Sequence, residues 1–313
     1  MSSGPVISVV LPTYNRRALL PDAIGSVFRQ TLSDWELVVA DDASTDDTVA
    51  FVSSLRDPRV RVISFAHSGH PETVRNRAAA ECRGRYLAFL DSDDWWERDK
   101  LALQAAALSQ DSASGWSYTG FRFVNAEGRD LPPERPLPSP SSGMIQEKLL
   151  SGQALVLTPT VMVRRDLFRE LGGFDESLPV ASDFDFWLRL AGESPAAAVE
   201  RVLVARRVHP RHYTVAHRDN VAAYEAFFAK QVRRAGNSRI RGLILSRRAA
   251  WLTGLAARAR REGRGADAWS ALRAALPYGL RNPGWWKGAI RGLLPWRSVG
   301  RSPSGGVEPI NSQ

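Results

Sequence analysis

The first third of the chain alternates between two patterns, short and largely apolar runs and longer segments with apolar residues at helical spacing. The runs are Val6–Leu11, Trp35–Ala40, Val60–Phe65 and Tyr86–Leu90. Helical patterns follow them at Arg17–Gln30, where Leu20, Ala23, Ile24, Val27 and Phe28 share a face, and at Asp46–Leu55, Glu72–Cys82 and Glu97–Leu108. Short strands that are apolar on both faces and separated by helices fit a parallel sheet covered on both sides. Right-handed crossovers wind such units into a doubly wound, nucleotide-binding type of α/β sheet. Further strands are expected at Gly115–Val124, Leu155–Val163 and Val199–Val208, with a helix at Phe184–Ala191 between the last two. Leu131–Ser142 is too rich in proline and serine for either element and reads as a loop with the make-up of a mobile lid. From Asn220 the pattern is wholly helical, at 220–235, 239–262 and 265–276, then a short segment 284–294, before a polar tail.

Composition narrows the class. Of 313 residues, 44% are hydrophobic and 24% charged, which excludes a mostly disordered chain. The single cysteine, Cys82, excludes an internal disulfide and a cysteine-cluster metal site, and points to a reducing compartment. No apolar stretch approaches the roughly 20 residues that span a bilayer. The opening MSSGPVISVVLP lacks a basic leader region and reads as the lead into a strand, so the expectation is a cytoplasmic protein. Charge is divided unevenly: residues 1–200 carry 20 Lys+Arg against 28 Asp+Glu, and residues 201–301 carry 22 against 4. This predicts an acidic domain over 1–215, a basic helical domain over 216–301 and a disordered tail over 302–313.

In a parallel sheet the carboxyl ends of the strands open onto one edge, where ligands bind. The first strand ends in Pro12-Thr13-Tyr14-Asn15, the second in Asp41-Asp42-Ala43-Ser44 and the fourth in Asp91-Ser92-Asp93-Asp94. Carboxylates converging there repel one another unless a cation compensates. Their hard oxygen donors suit Mg²⁺ or Mn²⁺ and argue against zinc. Each aspartate pattern, taken alone, fits helix capping as well.

The pieces PTYNR (12–16), DDAST (41–45), VRNRA (74–78), YLAFLDSDDWW (86–96), GGFDE (172–176) and SDFDFWLRL (182–190) resemble glycosyltransferase family 2 over roughly residues 5–215. The resemblance implies a GT-A type, mostly parallel sheet flanked by helices, and inverting transfer of a sugar from a nucleotide donor, most often a UDP-sugar. It implies that Pro12 and Tyr14 line the base pocket, that Asp42 accepts a base N–H, and that Arg75 lies against the diphosphate. It places Asp91 and Ser92 on the donor side, Asp93 and Asp91 on the metal, and His209 within reach of the metal or diphosphate. Asp183 is then the base that takes the acceptor's proton, with Asp185 structural. Two departures from the family pattern stand out. Ser182 replaces the usual acidic residue before the base, and HSGHPET precedes Arg75, with Arg77 where glycine is common.

The basic half admits three readings: a solvated bundle, a nucleic-acid surface and an anionic membrane surface. Trp285, Trp286, Ala289, Ile290, Leu293 and Leu294 fall on one side of a helix with Lys287 and Arg291 opposite, the composition of an interfacial helix. This favours the membrane; no nucleic-acid module is visible, and no nucleic-acid partner is expected. The reading is a metal-dependent glycosyltransferase acting on a glycan or lipid-linked acceptor in cell-surface polysaccharide assembly, peripheral on the inner face of the membrane. The alternatives are a nucleotidyltransferase, which calls for a glycine-rich basic loop unlike PTYNRR, and a non-catalytic sugar-nucleotide-binding scaffold.

Overall fold

The computed structural model describes residues 4–133, 136–208 and 220–279. His209, the helix expected at 284–294 and the tail expected at 302–313 lie outside them. The chain divides into two compact units, Met1–His212 and Tyr213–Gln313.

The first unit is a sheet with strand order β3-β2-β1-β4-β8-β6-β9-β5, flanked by helices, with β7 pairing β6. Its parallel part consists of β1 (Ile7–Thr13), β2 (Trp35–Asp41), β3 (Val60–Ser64) and β4 (Tyr86–Phe89). β1 and β2 are buried along their whole length, as apolar runs between two helical layers must be. Helices α1 (Leu20–Phe28), α2 (Thr48–Ser54), α3 (Pro71–Glu81) and α4 (Lys100–Gln110) supply the crossovers. Leu20, Ile24 and Val27 pack with Val9, Leu11, Leu37 and Val39 in the core.

Beyond β4 the sheet becomes mixed. β8 (Val161–Arg164) runs antiparallel to both β4 and β6 (Trp116–Val124), and β6 pairs in parallel with the long β9 (Ala196–Arg207). Two-residue strands β5 (Trp95–Trp96) and β7 (Asp130–Leu131) pair with β9 and β6. The strand expected over Leu155–Val163 is split. Pro159 has no N–H for a ladder, and Thr158–Thr160 instead forms a 3-10 turn closed by Thr160 Oγ1 donating to Leu157 O at 2.6 Å. Short helices α5 (Gln146–Ser151) and α6 (Arg165–Glu170) were not expected, and α7 (Ser182–Glu193) extends the predicted helix in both directions.

Two features shape the functional edge. The β1–β4 ladder ends where Leu90 N donates to Val10 O at 3.0 Å. Pro12, the next residue on that side of β1, has no N–H with which to extend it. On the other side β1 stays paired with β2 as far as Thr13 and Asp41, so the sheet opens between β1 and β4 where Asp91 follows. In the segment expected as a mobile lid, the described residues 137–142 are tied down. Ser141 N donates to Tyr118 Oη at 2.7 Å, Ala198 N donates to Ser142 Oγ at 3.0 Å, and Leu137 packs against the core.

The second unit contains α8 (Val221–Arg234), α9 (Ser238–Arg261) and α10 (Gly265–Gly279). Asn220 and Asn237 cap α8 and α9 by accepting from Ala223 N and Ile240 N. α9 and α10 meet through Leu252, Leu272 and the alanines Ala249, Ala256, Ala259, Ala268, Ala271 and Ala275, whose small side chains let helices approach closely. Tyr224 stacks on Trp251 at 4.6 Å, and Arg248 pairs with Glu225 at 2.8 Å, joining α9 to α8. Among the described residues, no helix is long and apolar enough to cross a membrane.

Candidate active site

The loop leaving β4 brings Asp91, Asp93 and Asp94 together, with one carboxylate oxygen from each within 4.8 Å of the others. Asp94 is buried; its Oδ1 accepts from Arg207 N at 2.9 Å and its Oδ2 has no partner. Burial, then the charges of Asp93 and Asp91, push the Asp94 carboxyl well above the usual range, against the opposing pull of Arg206. Clustered carboxylates with an orphaned buried oxygen form a donor set that fits a hard divalent cation. Asp94 holds β9 through Arg207 and completes the acidic cluster. Ser92 is buried between these aspartates.

Arg75 joins this cluster to a second one. The residue is buried on α3, with Nη1 2.8 Å from Glu72 Oε1 and Nη2 2.5 Å from Asp91 Oδ1. Burial alone lowers the guanidinium's pKa, and the charges of Asp91, Glu72 and Asp183 outweigh that and raise it. Its Nε is buried without a partner. The residue expected to face a diphosphate is thus held by two carboxylates, with donor capacity in reserve.

Asp183 stands in the first turn of α7. Its Oδ1 accepts from Phe184 N at 2.7 Å, and its Oδ2 lies 3.5 Å from Thr158 Oγ1 on the 3-10 turn. Its pKa is raised to about 6, by burial first and by the Glu72 charge second, with Phe184 N–H and Arg75 pulling the other way. Ala181, the residue just before α7, is left-handed at φ 54°, an uncommon state for a non-glycine residue. Asp185 pairs with Arg189 at 2.8 Å, and Arg189 also donates to Leu171 O and Gly173 O, so Asp185 holds the GGFDE turn against α7. Ser182, in place of the family's acidic residue, donates from Oγ to Asp175 O at 2.9 Å in the same turn. Asn76 clamps the turn from α3: Phe174 N donates to its Oδ1, and its Nδ2 donates to Phe174 O and Glu176 Oε1.

The ends of β1 and β2 form the neighbouring part of the edge. Asn15 Oδ1 accepts from Thr45 N at 2.8 Å, tying the two strand-end loops together. Pro12 is buried, whereas Tyr14 is 43% exposed and lies against the His67 ring at 4.6 Å, tilted by 34°. Asp42 is buried beneath them. Its Oδ1 accepts from Ser68 N at 2.7 Å and Ser68 Oγ at 3.0 Å, and its Oδ2 accepts from Gly69 N at 2.9 Å and pairs with His67 Nδ1 at 3.0 Å. The carboxylate expected to read a base is thus occupied by the loop before α3.

The model of the family described as "Glycosyl transferase family 2" matches residues 8–172. The chain belongs to glycosyltransferase family 2. The match takes in Tyr14, Asp42, Arg75 and the β4 aspartates, and stops short of Asp183. Among curated family relatives, the UDP-Glc:alpha-D-GlcNAc-diphosphoundecaprenol beta-1,3-glucosyltransferase WfgD of Escherichia coli is 28% identical over 197 residues, covering 62% of this chain and 73% of that one. The chain spans about half or less of the length of several other curated relatives it matches. Among solved structures, residues 1–349 of S. aureus TarS in complex with UDP superpose with TM-score 0.63 at 20% identity, covering 92% of this chain and 88% of that one. The mannosyltransferase PcManGT of Pyrobaculum calidifontis, in complex with GDP-Man and Mn2+, superposes with TM-score 0.58 at 20% identity, covering 93% and 85%. The fold is that of GT-A glycosyltransferases.

Several residues along this edge were not picked out from the sequence: Glu72, His67, Asn76, Thr158 and the place of Asp94 in the acidic cluster. Glu72 carried a usable signal, lying one helical turn before Arg75. Thr158 carried none, because a turn separates it from any recognisable motif.

Proposed function

We propose that the protein is a metal-dependent, inverting glycosyltransferase. It would move a sugar from a nucleotide-sugar donor, a UDP-sugar foremost, to a hydroxyl of a glycan or lipid-linked acceptor in cell-surface polysaccharide biosynthesis. The observation that carries this reading is the connection of Asp91 in the acidic cluster, through Arg75, to the electrostatic surroundings of Asp183. A candidate cation site and a candidate base thus share one charge network. WfgD, named for a UDP-glucose donor and a diphosphoundecaprenol-linked acceptor, supports the substrate class, and the Mn2+ of PcManGT supports the cation.

Asp91, Asp93 and Asp94 would hold Mg²⁺ or Mn²⁺, which when bound offsets the charge developing on the leaving nucleoside diphosphate. Tyr14 offers an exposed ring face toward the base, beside Pro12. Arg75 neutralises the diphosphate side, where a guanidinium forms charge-assisted bonds. Asp183 accepts the proton of the acceptor hydroxyl while its oxygen bonds to the anomeric carbon. The bond from that carbon to the diphosphate oxygen breaks, and the electron pair leaves with the nucleoside diphosphate. A single displacement of this kind inverts the anomeric centre. A carboxyl pushed toward the operating pH is better matched to general-base work than an unperturbed one.

The reading is tested by thermal denaturation of the full chain across a panel of nucleotide sugars, each with Mn²⁺ and with EDTA. A ligand that binds only the folded state stabilises it by mass action. One donor class is expected to raise the midpoint with Mn²⁺ and to lose most of that effect with EDTA. No shift with any donor overturns the reading. The same proposal places the protein at the inner face of the cell membrane, supported by the basic charge of the second half and by the lipid-linked acceptor of WfgD.

A further inference from the structure

Lys100 is a buried ionisable group that the proposed chemistry leaves unused. It stands in the first turn of α4 with its side chain wholly enclosed. Nζ donates to Gln104 Oε1 at 2.6 Å and lies 4.1 Å from the centre of the Trp96 ring. Among the described residues no carboxylate pairs with it, and burial pushes the amine well below the usual ammonium range. Charged or neutral, the amine keeps an N–H for Gln104, so the contact does not depend on its protonation state. An amine enclosed with so few partners costs stability that an apolar chain of the same length would not. Its neighbours show what it secures. Gln104 Nε2 donates to Thr160 O at 3.0 Å, and Trp96 Nε1 donates to Pro159 O at 2.9 Å. Both carbonyls belong to the 3-10 turn Thr158–Thr160. The first residue of that turn sets its hydroxyl 3.5 Å from Asp183 Oδ2, at the outer limit of hydrogen bonding. Lys100 decides how the Gln104 amide faces: with Oε1 held by the amine, Nε2 is left to the turn.

We propose that Lys100 is a positioning residue for Asp183, acting through Gln104 to hold the turn that sets Thr158 against the base. This rests on the glycosyltransferase reading and deepens it. Trp96 steadies the same turn and follows Asp94 by two residues, so the acidic loop and the wall beside Asp183 share one support.

The test follows the Asp183 carboxyl itself, by carbon-13 NMR titration of the full chain labelled at its aspartate carboxyls, the resonance being assigned by its loss in Asp183→Asn. The charges around it, Glu72 and Arg75 of α3 and Asp91 of the β4 loop, are kept in every variant. Lys100→Met preserves length and burial while removing the donor. It is expected to raise the Asp183 midpoint by about 0.5 unit, because a hydrogen bond to the ionised form is lost. Thr158→Val should raise it equally and Thr158→Ser not at all. Adding Lys100→Met to Thr158→Val should move it no further, since the two act on one contact. The denaturation midpoint of Lys100→Met at pH 7.5 is expected to be unchanged or higher, which a merely structural amine would not give. Lys100→Met/Gln104→Met removes both partners together, a change that folding tolerates better than losing one, and should show the same shift. An unmoved Asp183 midpoint in Lys100→Met and in the double variant, or a full shift persisting beside Thr158→Val, overturns the inference while leaving the transferase reading standing. That reading fails separately, if no nucleotide sugar of the thermal panel binds.

Discussion

Asp183 concentrates the residue-scale consequences. As the proposed base it would work deprotonated, and its pKa is raised to about 6. The log of kcat/KM is therefore expected to rise with unit slope below pH 6 and to level above it, read from initial rates between pH 4.5 and 8. Asp183→Asn replaces the basic carboxylate with an amide that cannot take up the proton and should lower kcat by about 10²–10⁴-fold, with the donor's dissociation constant little changed. The same shift affects stability. Below about pH 4 the group is protonated whether the chain is folded or unfolded. Between there and pH 6 the unfolded chain releases the proton first, so folding stability falls as pH rises and stays lower above pH 6. Asp183→Asn should thus raise the denaturation midpoint at pH 7.5, by up to about 3 kcal/mol in stability, and leave it unchanged near pH 4. Asp91, Asp93 and Asp183 could be found in the sequence because an aspartate at the end of an apolar strand or the start of a helix is conspicuous. The contacts that occupy Asp42 could not, because they depend on where Ser68 and Gly69 fold back onto the end of β2.

At the scale of elements, the parallel strands and their crossovers were legible because each is buried by its own neighbours in sequence. The antiparallel half was less so. β8 follows a proline-interrupted turn, and β5 is only two tryptophans that pair with a strand more than a hundred residues away. The GGFDE turn resembled a family motif, yet nothing in the sequence disclosed that Asn76 clamps it. Gly173 shows how tight that clamp is: a Cβ there would lie 2.6 Å from Asn76 Oδ1 and 3.2 Å from the Phe168 ring. Asn76→Ala should cost about 1–3 kcal/mol, through buried groups left unpaired, as measured by urea denaturation. It should also depress kcat more than donor affinity, because the turn leads into the helix that carries Asp183. Ala181→Gly relieves the left-handed strain beside that helix and should stabilise the fold by up to about 1 kcal/mol. Its cost is expected in kcat, read on the same preparation, since a looser backbone holds the base less firmly.

At the scale of the whole molecule, the uneven charge was the feature most easily read and the one whose use depends most on a partner. Over the described part of the second unit the cations sit on helices joined through alanine contacts. The full chain is expected to float with vesicles containing phosphatidylglycerol and not with phosphatidylcholine alone, and to be released by salt, since screening shortens the reach of such charges. Equal flotation on both vesicle types would exclude an electrostatic attachment. The imino acid that ends the β1–β4 ladder has a simpler consequence. Because the missing hydrogen is covalent, no fluctuation, crowding or cargo departure can zip the two strands further shut at Pro12. The gap between the two strand ends is kept ajar by the chain's own covalent chemistry, at no cost in binding energy.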